Sequence, residues 1–327
     1  MKKGLVIGKF YPLHAGHQYL IETALSNSDQ VAVIVTGKKD QIIPATIRAA
    51  WIREIYPQVE VKLVYHNIAD DNDEAWAKNT IKWLGFKPDI VFTSENYGDH
   101  YSQLMGAKHV PVDIPRIKFP ISGTKIREKP HFYSQFLHPI VRAYFVKRVC
   151  LIGAESTGTT TLAEALAKLY KTSWVPEFGR FYTEGKVTSK HYKWADREFT
   201  YIAQTQNGLE DELAKYASKV LFCDTNSLAT YVWQELFLKR GTEEVKKLYT
   251  GRSYDLYIVT GIDVPFTRDN IRVKVKRVWM HKRFIDILEK SGQRYIVATG
   301  DLKNRIAQSE KEIKKVLQDY KIEEKIL

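Results

Sequence analysis

The sequence predicts an α/β protein of two doubly wound domains, each organised around a parallel sheet. Short apolar runs that are typical of buried strands alternate with helix-like segments from residue 5 onward. The same alternation begins again at residue 148, after a short aromatic segment. The length of 327 residues is ample for two domains. We therefore predict domains at residues 1–128 and 147–327, joined by a helical connector at 129–146.

The first domain is predicted to hold five strands, at residues 5–7, 30–36, 59–65, 89–93 and 108–112. Helices are expected at residues 18–25, 42–56, around Trp76 and at 122–128. In doubly wound sheets, ligands bind at the C-terminal ends of the strands. The loops that follow the strands are therefore the expected place for functional residues.

The loop after the first strand carries two histidines at the start of the first helix. Gly8 allows the backbone to turn, and His14 and His17 are three residues apart, so both imidazoles lie on one face. Backbone N–H groups and the helix dipole attract phosphate there. Imidazoles that are cationic near neutral pH would strengthen this attraction. We therefore predict a site for nucleotide phosphates.

A second phosphate-binding element is expected at residues 121–127. Ser122 is a good helix N-cap, and Thr124 and the N–H groups of the first turn can bind phosphate oxygens. The guanidinium of Arg127 can contact two oxygens at once. Arg48, at a strand–helix junction, is a further phosphate candidate, although a solvated surface arginine fits its position equally well.

Both elements resemble signatures of the nucleotidylyltransferase superfamily, namely its His-x-Gly-His loop and its Ile-Ser-x-Thr-x-Ile-Arg segment. The resemblance implies a Rossmann-like first domain in which His14 and His17 bind the triphosphate and, with Arg127, stabilise the α-phosphoryl group as pyrophosphate leaves. The nucleotide-binding residues that it implies here are Gly8, Lys9, Phe10, Gly16, Ser122 and Thr124.

Three further residues are predicted to bind substrate in this site. Nicotinamide-nucleotide adenylyltransferases of the superfamily place a Trp against the nicotinamide ring, and Trp76 is the best match by position. A core position for Trp76 is an equally good interpretation. Ser94 and Tyr97 lie in a segment, 94–98, that resembles the one near the adenosine half of the nucleotide.

The second domain begins with a P-loop-like segment between a strand at 148–152 and a helix at 162–170. Thr159 stands where such loops usually carry the Lys that reaches the β- and γ-phosphates. Thr160 can still hold Mg²⁺, and Asp224, after a strand at 220–222, is placed like a Walker B acid. Two more strands are expected at 256–260 and 294–298. The predicted phosphate-binding residues are Gly153, Glu155, Ser156, Thr157, Gly158, Thr159, Thr160 and Thr161.

A basic stretch separates the last two predicted strands. Its cations suit a lid that closes over phosphates, and Arg268 or Arg272 could replace the missing Lys. A solvated basic face is the alternative interpretation. The stretch also includes Arg277 and Lys282.

The order of the two domains resembles the bifunctional NadR-type proteins over roughly residues 3–310. These proteins join a nicotinamide-nucleotide adenylyltransferase to a P-loop, kinase-like ribosylnicotinamide kinase. The resemblance implies that Glu177 and Arg180 lie near the nucleoside, and that Asp263 and Arg272 contribute to substrate binding. The chain departs from the pattern at Thr159, at residues 268–272, where Asp-Gly is expected, and at Asn226, where Asp is usual.

The resemblance implies two reactions in NAD biosynthesis. The first domain would transfer AMP from ATP to nicotinamide mononucleotide, which gives NAD and pyrophosphate. The second would phosphorylate nicotinamide riboside with ATP, using Glu177 or Asp224 as the base. Mg²⁺ is the expected cofactor, with Thr160 and Asp224 as its ligands, and a homo-oligomer is compatible with the family. The expected partners are small molecules: ATP, nicotinamide mononucleotide, nicotinamide riboside and NAD.

Two alternatives stay open at this point. One is an enzyme of the same superfamily with another acceptor, such as a phosphopantetheine or a flavin nucleotide. The other is a regulatory protein whose P-loop domain senses nucleotides without turnover, because Thr159 replaces the Lys. Since the first strand starts at Gly4, the helix-turn-helix domain of some NadR-type proteins is expected to be absent.

Composition agrees with a cytoplasmic enzyme that binds several phosphates. The net charge is +12, and no apolar stretch is long enough to form a signal segment or to span a bilayer. Cys150 and Cys223 are too few for a disulfide framework and both lie in apolar runs, so we expect them to be buried.

Overall fold

The computed structural model describes residues 1–69, 71–187, 193–265 and 276–318. The described residues form two compact units, 1–144 and 145–318. Each unit contains a five-stranded parallel sheet with helices between the strands, which confirms the predicted α/β class. Among the described residues, no helix is both long enough and apolar enough to cross a membrane.

The sheet of the first unit has the order β3-β2-β1-β4-β5. Because the chain continues from the centre first to one side and then to the other, a crevice opens between the ends of β1 and β4. Leu5, Ile34 and Val91 of the sheet belong to the core, together with residues of the helices at 73–84 and 98–105. The strands are β1 (Lys3–Gly8), β2 (Gln30–Gly37), β3 (Glu60–Tyr65), β4 (Ile90–Thr93) and β5 (Lys108–Pro111).

The helices of the first unit follow the prediction with three differences. The first helix begins at Ala15 and not at residue 18. The second helix begins at Ala45 and not at residue 42, because Pro44 is extended, with φ −53° and ψ 142°. The helix at 98–105 was not predicted; its C-cap is Gly106, whose φ of 71° is left-handed. The helices are α1 (Ala15–Asn27), α2 (Ala45–Ile55), α3 (Asp73–Leu84), α4 (Gly98–Met105) and α5 (Gly123–Glu128).

The segment predicted as a helical connector contains one 3₁₀ turn, Ser134–Phe136, and a short helix, α6 (Pro139–Tyr144). Its residues up to 144 belong to the first unit. The second unit starts at residue 145, directly before its first strand.

The sheet of the second unit has the order β10-β9-β6-β8-β7. Cys150 of β6 lies opposite Cys223 of β8, and both thiols are fully buried, as expected. The strands are β6 (Lys147–Gly153), β7 (Trp174–Val175), β8 (Val220–Asp224), β9 (Leu256–Thr260) and β10 (Tyr295–Ala298).

Seven helices of the second unit are described, and the basic stretch is described only in part. Arg268 and Arg272 lie outside the described residues. Arg277 begins α12 and donates from Nη2 to the Val264 carbonyl at 3.0 Å, while Lys282 is exposed on the same helix. The helices are α7 (Thr159–Tyr170), α8 (Phe178–Lys186), α9 (Asp196–Ala214), α10 (Ser227–Leu238), α11 (Glu243–Thr250), α12 (Arg277–Lys290) and α13 (Leu302–Gln318).

Candidate functional site

The loop after β1 brings the two histidines into ring contact. Phe10 adopts a left-handed backbone, with φ 46°, and its buried ring meets His17 edge-on at 5.1 Å between centroids. His14 is the N-cap of α1. The imidazoles of His14 and His17 stack, with their centroids 3.7 Å apart and their planes 23° apart. The rings therefore form one compact pair at the helix N-terminus.

Both histidines are neutral in the free protein, which corrects the expectation that they are cationic. Burial, followed by the nearby charge of Arg116, lowers the pKa of His14 from 6.5 to about 4. Burial, His14 and Arg116 together hold the pKa of His17 well below 6.5. Each ring carries one N–H, so the pair can donate hydrogen bonds but adds no positive charge. Within the described residues, Nδ1 of each ring is buried and makes no hydrogen bond.

A cavity of about 810 Å³ opens at the crevice beside this pair. Its volume falls within the usual range for small-molecule sites, about 300–1,000 Å³. Its walls come from the loops after β1, β4 and β5 and from the start of α5. With the exception of the phosphate candidate Arg48, it brings together the predicted site residues of the first domain: Gly8, Lys9, Phe10, His14, Gly16, His17, Trp76, Ser94, Tyr97, Ser122, Thr124 and Arg127.

The start of α5 is packed directly onto the histidine loop. Ser122 caps the helix, since its Oγ accepts from the Lys125 N–H at 3.3 Å. Arg127 donates from Nη1 to the Tyr11 carbonyl at 2.7 Å. At Gly123, an added Cβ would lie only 2.3 Å from that same carbonyl oxygen. The two elements predicted to bind phosphate are therefore fixed relative to each other through Tyr11.

Trp76 lines the cavity and also packs against the core, so both interpretations of this residue have support. Its Nε1 donates to the Ala69 carbonyl at 3.0 Å. His66 meets the indole edge-on at 4.4 Å and Trp83 does so at 6.1 Å between centroids. These contacts fix the orientation of the indole at the cavity wall.

Arg48 is neither a phosphate ligand nor a solvated arginine. Its side chain is fully buried and does not line the cavity. The guanidinium donates to the backbone carbonyls of Lys9, Thr36 and Ile43 and to the Gln41 side chain. It is a structural residue that ties the histidine loop to the end of β2. Its acceptors Thr36 and Lys9 are 12 and 39 residues away in sequence, so no local pattern predicts this role.

Arg116 is a cavity residue that the sequence analysis missed. It lies in the loop after β5 with a left-handed φ of 54°, and its Nη2 contacts Glu95 Oε1 at 2.9 Å. The carboxylate of Asp113 orders this loop by accepting the N–H groups of residues 117–119 at 2.9–3.1 Å. The available signal was the Asp-x-Pro turn just before the second motif.

In the second unit, the predicted P-loop has the required backbone. Ser156 and Gly158 are left-handed, with φ 58° and 83°. Thr157 Oγ1 lies 2.6 Å from both the Ala154 carbonyl oxygen and Thr260 Oγ1. A Cβ at Gly153 would lie 2.0 Å from the Thr260 hydroxyl, so glycine is required there. The N-terminus of α7, which starts at Thr159, follows directly.

Thr160 and Asp224 meet beside the P-loop, as the predicted metal site requires. Thr160 Oγ1 donates to Asp224 Oδ2 at 2.5 Å. Asp224 is 1% exposed, and burial raises its pKa to about 6. Its Oδ1 is buried and has no hydrogen-bond partner among the described residues. Oxygen donors with one unsatisfied carboxylate oxygen fit Mg²⁺, which takes few protein ligands beside substrate phosphates.

The lining of a small cavity of about 100 Å³ includes Glu155 of the P-loop segment. Glu155, Glu177 and Arg180 line it together with Thr225, which directly follows Asp224. Its aromatic wall is compact, because the rings of Trp194 and Trp233 both stack on that of Phe237, at 5.4 and 5.5 Å. The remaining aromatic residue of the lining is Phe199.

Asp263 is held in a structural network by Arg305, a second residue that the sequence analysis missed. Asp263 Oδ1 lies 2.8 Å from Arg305 Nη2, and its Oδ2 accepts the Gly300 N–H at 2.6 Å. Arg305 also donates to the carbonyls of Thr157, Gly261 and Gly300. Both carboxylate oxygens of Asp263 are therefore engaged within the protein, and Arg305 ties α13 to the P-loop.

The comparisons with known proteins cover residues of both units. The family model described as an AAA domain matches residues 148–305. The trifunctional NAD biosynthesis/regulator protein NadR of Escherichia coli (strain K12) is 27% identical over 321 residues, which cover 90% of this chain and 78% of that protein. The NadR protein of Salmonella typhimurium (strain LT2) is 28% identical over 292 residues, which cover 82% and 71%. The chain resembles NadR along most of its length.

Solved structures of NadR share the fold. A structure of NadR in complex with NR has a TM-score of 0.77 at 20% identity and covers 97% of both chains. Another, in complex with NAD and AMP-PNP, has a TM-score of 0.74 at 19% identity and covers 100% of this chain and 98% of that one.

One departure from the NadR-type pattern has a structural explanation. Asn226, at the position where Asp is usual, is the N-cap of α10. Its Oδ1 accepts the N–H groups of Leu228 and Ala229 at 3.1 and 3.3 Å. Asn and Asp are comparable N-caps, so this departure leaves the helix start intact.

Proposed function

We propose that the first unit transfers AMP from ATP to nicotinamide mononucleotide, giving NAD and pyrophosphate. The observation that carries this proposal is the single cavity shared by the histidine pair, the start of α5 and Trp76. The NadR relatives support NAD biosynthesis as the setting. Trp76 favours a flat cationic ring as part of the acceptor over a phosphopantetheine.

The chemistry needs charge and alignment more than a base. An oxygen of the acceptor's 5′-phosphate forms a bond to the α-phosphorus, and the bond from that phosphorus to the α–β bridging oxygen breaks, which releases pyrophosphate. That attacking oxygen is already ionised. The neutral His14 and His17 donate hydrogen bonds to phosphate oxygens. Positive charge falls to Lys9, Arg116 and Arg127, the Lys and Arg residues among the described cavity lining.

We further propose that the second unit phosphorylates the 5′-hydroxyl of nicotinamide riboside with ATP. The riboside oxygen forms a bond to the γ-phosphorus, the bond to the β–γ bridging oxygen breaks, and ADP leaves. Glu177 is the better candidate to accept the hydroxyl proton, because it lines the small cavity. Asp224, in contrast, accepts a hydrogen bond from the Thr160 hydroxyl. Thr160 and Asp224 would hold Mg²⁺, which neutralises phosphate charge when bound.

The second candidate for this unit is a nucleotide sensor without turnover. Thr159, the first residue of α7, favours it, because a P-loop without Lys lacks a charge that usually assists phosphoryl transfer.

One experiment tests all these proposals. The purified chain is given ATP and Mg²⁺ with either nicotinamide mononucleotide or nicotinamide riboside, and the products are separated by chromatography. We expect NAD from both substrates. NAD from the mononucleotide alone would support the sensor, and no NAD from the mononucleotide would contradict the adenylyltransferase proposal.

A further inference from the structure

If the second unit is a kinase, another residue must supply the positive charge that the P-loop Lys usually provides. In P-loop enzymes, the Lys before the Ser/Thr contacts the β- and γ-phosphates, whose negative charge shifts during transfer. Thr159 occupies that place at the first residue of α7. A hydroxyl donates a hydrogen bond but supplies no charge, so another cation must meet the γ-phosphoryl group.

Arg305 lies against the P-loop but cannot fill this role. It is 3% exposed, and its Nε, Nη1 and Nη2 donate to the carbonyls of Gly300, Thr157 and Gly261 and to Asp263. Moving its guanidinium to a phosphate would break these contacts and leave buried carbonyls unsatisfied, which is costly.

Arg180 is in a better position. It lies in the first turn of α8 and lines the small cavity together with P-loop residue Glu155 and with Thr225. Among the described residues of that lining, it is the one Lys or Arg.

The side chain of Arg180 is accessible from solvent. It is 41% exposed, and its Nε contacts Glu184 Oε1 at 3.0 Å, one helical turn away. Exposed pairs of this kind are weak, so a phosphate can compete with Glu184 for the guanidinium.

We propose that Arg180 is the cation that contacts the γ-phosphoryl group in place of the P-loop lysine. This inference rests on the proposed kinase activity and gives Arg180 a catalytic role, distinct from binding of the nucleoside. As the riboside oxygen bonds to the γ-phosphorus and ADP leaves, the guanidinium donates hydrogen bonds to the transferring phosphoryl oxygens.

Steady-state kinetics of riboside phosphorylation test this role, with variants Arg180→Ala, Arg180→Lys and Arg180→Ala combined with Thr159→Lys. We expect Arg180→Ala to lower kcat by about 10²-fold or more with little change in the KM for riboside. Arg180→Lys should retain more activity than Arg180→Ala, and Thr159→Lys should restore at least about tenfold to the alanine variant. Thermal unfolding of each variant checks that it is folded.

Arg294→Ala is the matched control, because Arg294 is 40% exposed and pairs with Glu312 at 3.2 Å outside the cavity lining. It should leave kcat unchanged. A rise in KM with unchanged kcat for Arg180→Ala, or a loss that Thr159→Lys does not restore, would overturn the inference. So would a loss of kcat with Arg268→Ala or Arg272→Ala but not with Arg180→Ala. A wild-type chain that phosphorylates no riboside would contradict the kinase proposal itself and this inference with it.

Discussion

His14 and His17 are buried at the position where phosphate binding is proposed. Their rings are neutral, so in the proposed reaction a triphosphate would meet two preorganised hydrogen-bond donors and three separate cations. Donors of this kind gain strength because water is excluded around them. The same burial makes each ring sensitive to acid, and two predictions at the residue scale follow from these two properties.

Replacing His17 with Ala should reduce adenylyl transfer strongly. Loss of one preorganised donor to a transition-state oxyanion costs about 10²–10³-fold in kcat. The measurement is NAD formation from nicotinamide mononucleotide at saturating ATP. Glu22→Ala, on the same helix and outside the cavity lining, serves as the control and should keep full activity. A rate of His17→Ala within about threefold of wild type, far from the 10²-fold loss, would rule out the proposed role.

The histidine pair should also make the first unit less stable in acid. A pKa of about 4 for His14 in the folded state, against 6.5 when unfolded, means that the unfolded state binds more protons between these values. The free energy of unfolding therefore falls as the pH drops from 6.5 towards 4, by at most about 3 kcal/mol for His14. Urea unfolding at several pH values measures this, and His14→Gln should flatten the dependence. An equal acid dependence in both proteins would contradict the assignment.

At the scale of elements, the junction between the histidine loop and α5 is the most sensitive part of the first unit. A methyl group at residue 123 would lie 2.3 Å from the Tyr11 carbonyl, so α5 must move away from the loop. We expect Gly123→Ala to displace Arg127 and to lower kcat/KM for NAD formation by at least about tenfold, because small displacements at such sites are costly.

Gly208→Ala is the control for that substitution. Gly208 lies inside α9, and an added Cβ there would meet no atom within 4 Å. The change should raise the melting temperature slightly, since Ala is a better helix former than Gly, and it should leave NAD formation unchanged. Equal kinetics in the two variants would show that α5 tolerates the displacement.

The elements that could be predicted from the sequence are those with strong local signals. The loop after β1, the capped start of α5 and the P-loop each combine glycine or a capping residue with a flanking strand or helix, and all lie where they were expected. The two-residue strand β7 and the short helix α4 are too brief for a periodic pattern.

Arg48 and Arg305 have structural roles that a local sequence pattern does not predict. The partners of Arg48 come from residues 9, 36, 41 and 43, and those of Arg305 from residues 157, 261, 263 and 300. Burial of a charged side chain depends on acceptors that only the folded chain brings together. The neutral state of the two histidines could not be predicted for the same reason, because their burial and the nearby Arg116 are tertiary features.

At the scale of the whole molecule, the two activities should be separable by single substitutions. Each proposed site is built from residues of one unit. We expect His17→Ala to accumulate nicotinamide mononucleotide from the riboside, because the kinase step remains. Asp224→Asn should lose riboside phosphorylation but still form NAD from added mononucleotide. Chromatography of the products from each substrate checks both, and loss of both activities in either variant would contradict independent sites.

The two cysteines can be used to measure unfolding of the second unit. Cys150 and Cys223 face each other across β6 and β8, fully buried, and burial raises the pKa of both thiols. The chain has no other cysteine, so the first unit carries no thiol. A thiol reagent should therefore label the native protein only when the second sheet opens. The labelling rate would then measure the opening free energy of that unit alone, without any engineered probe.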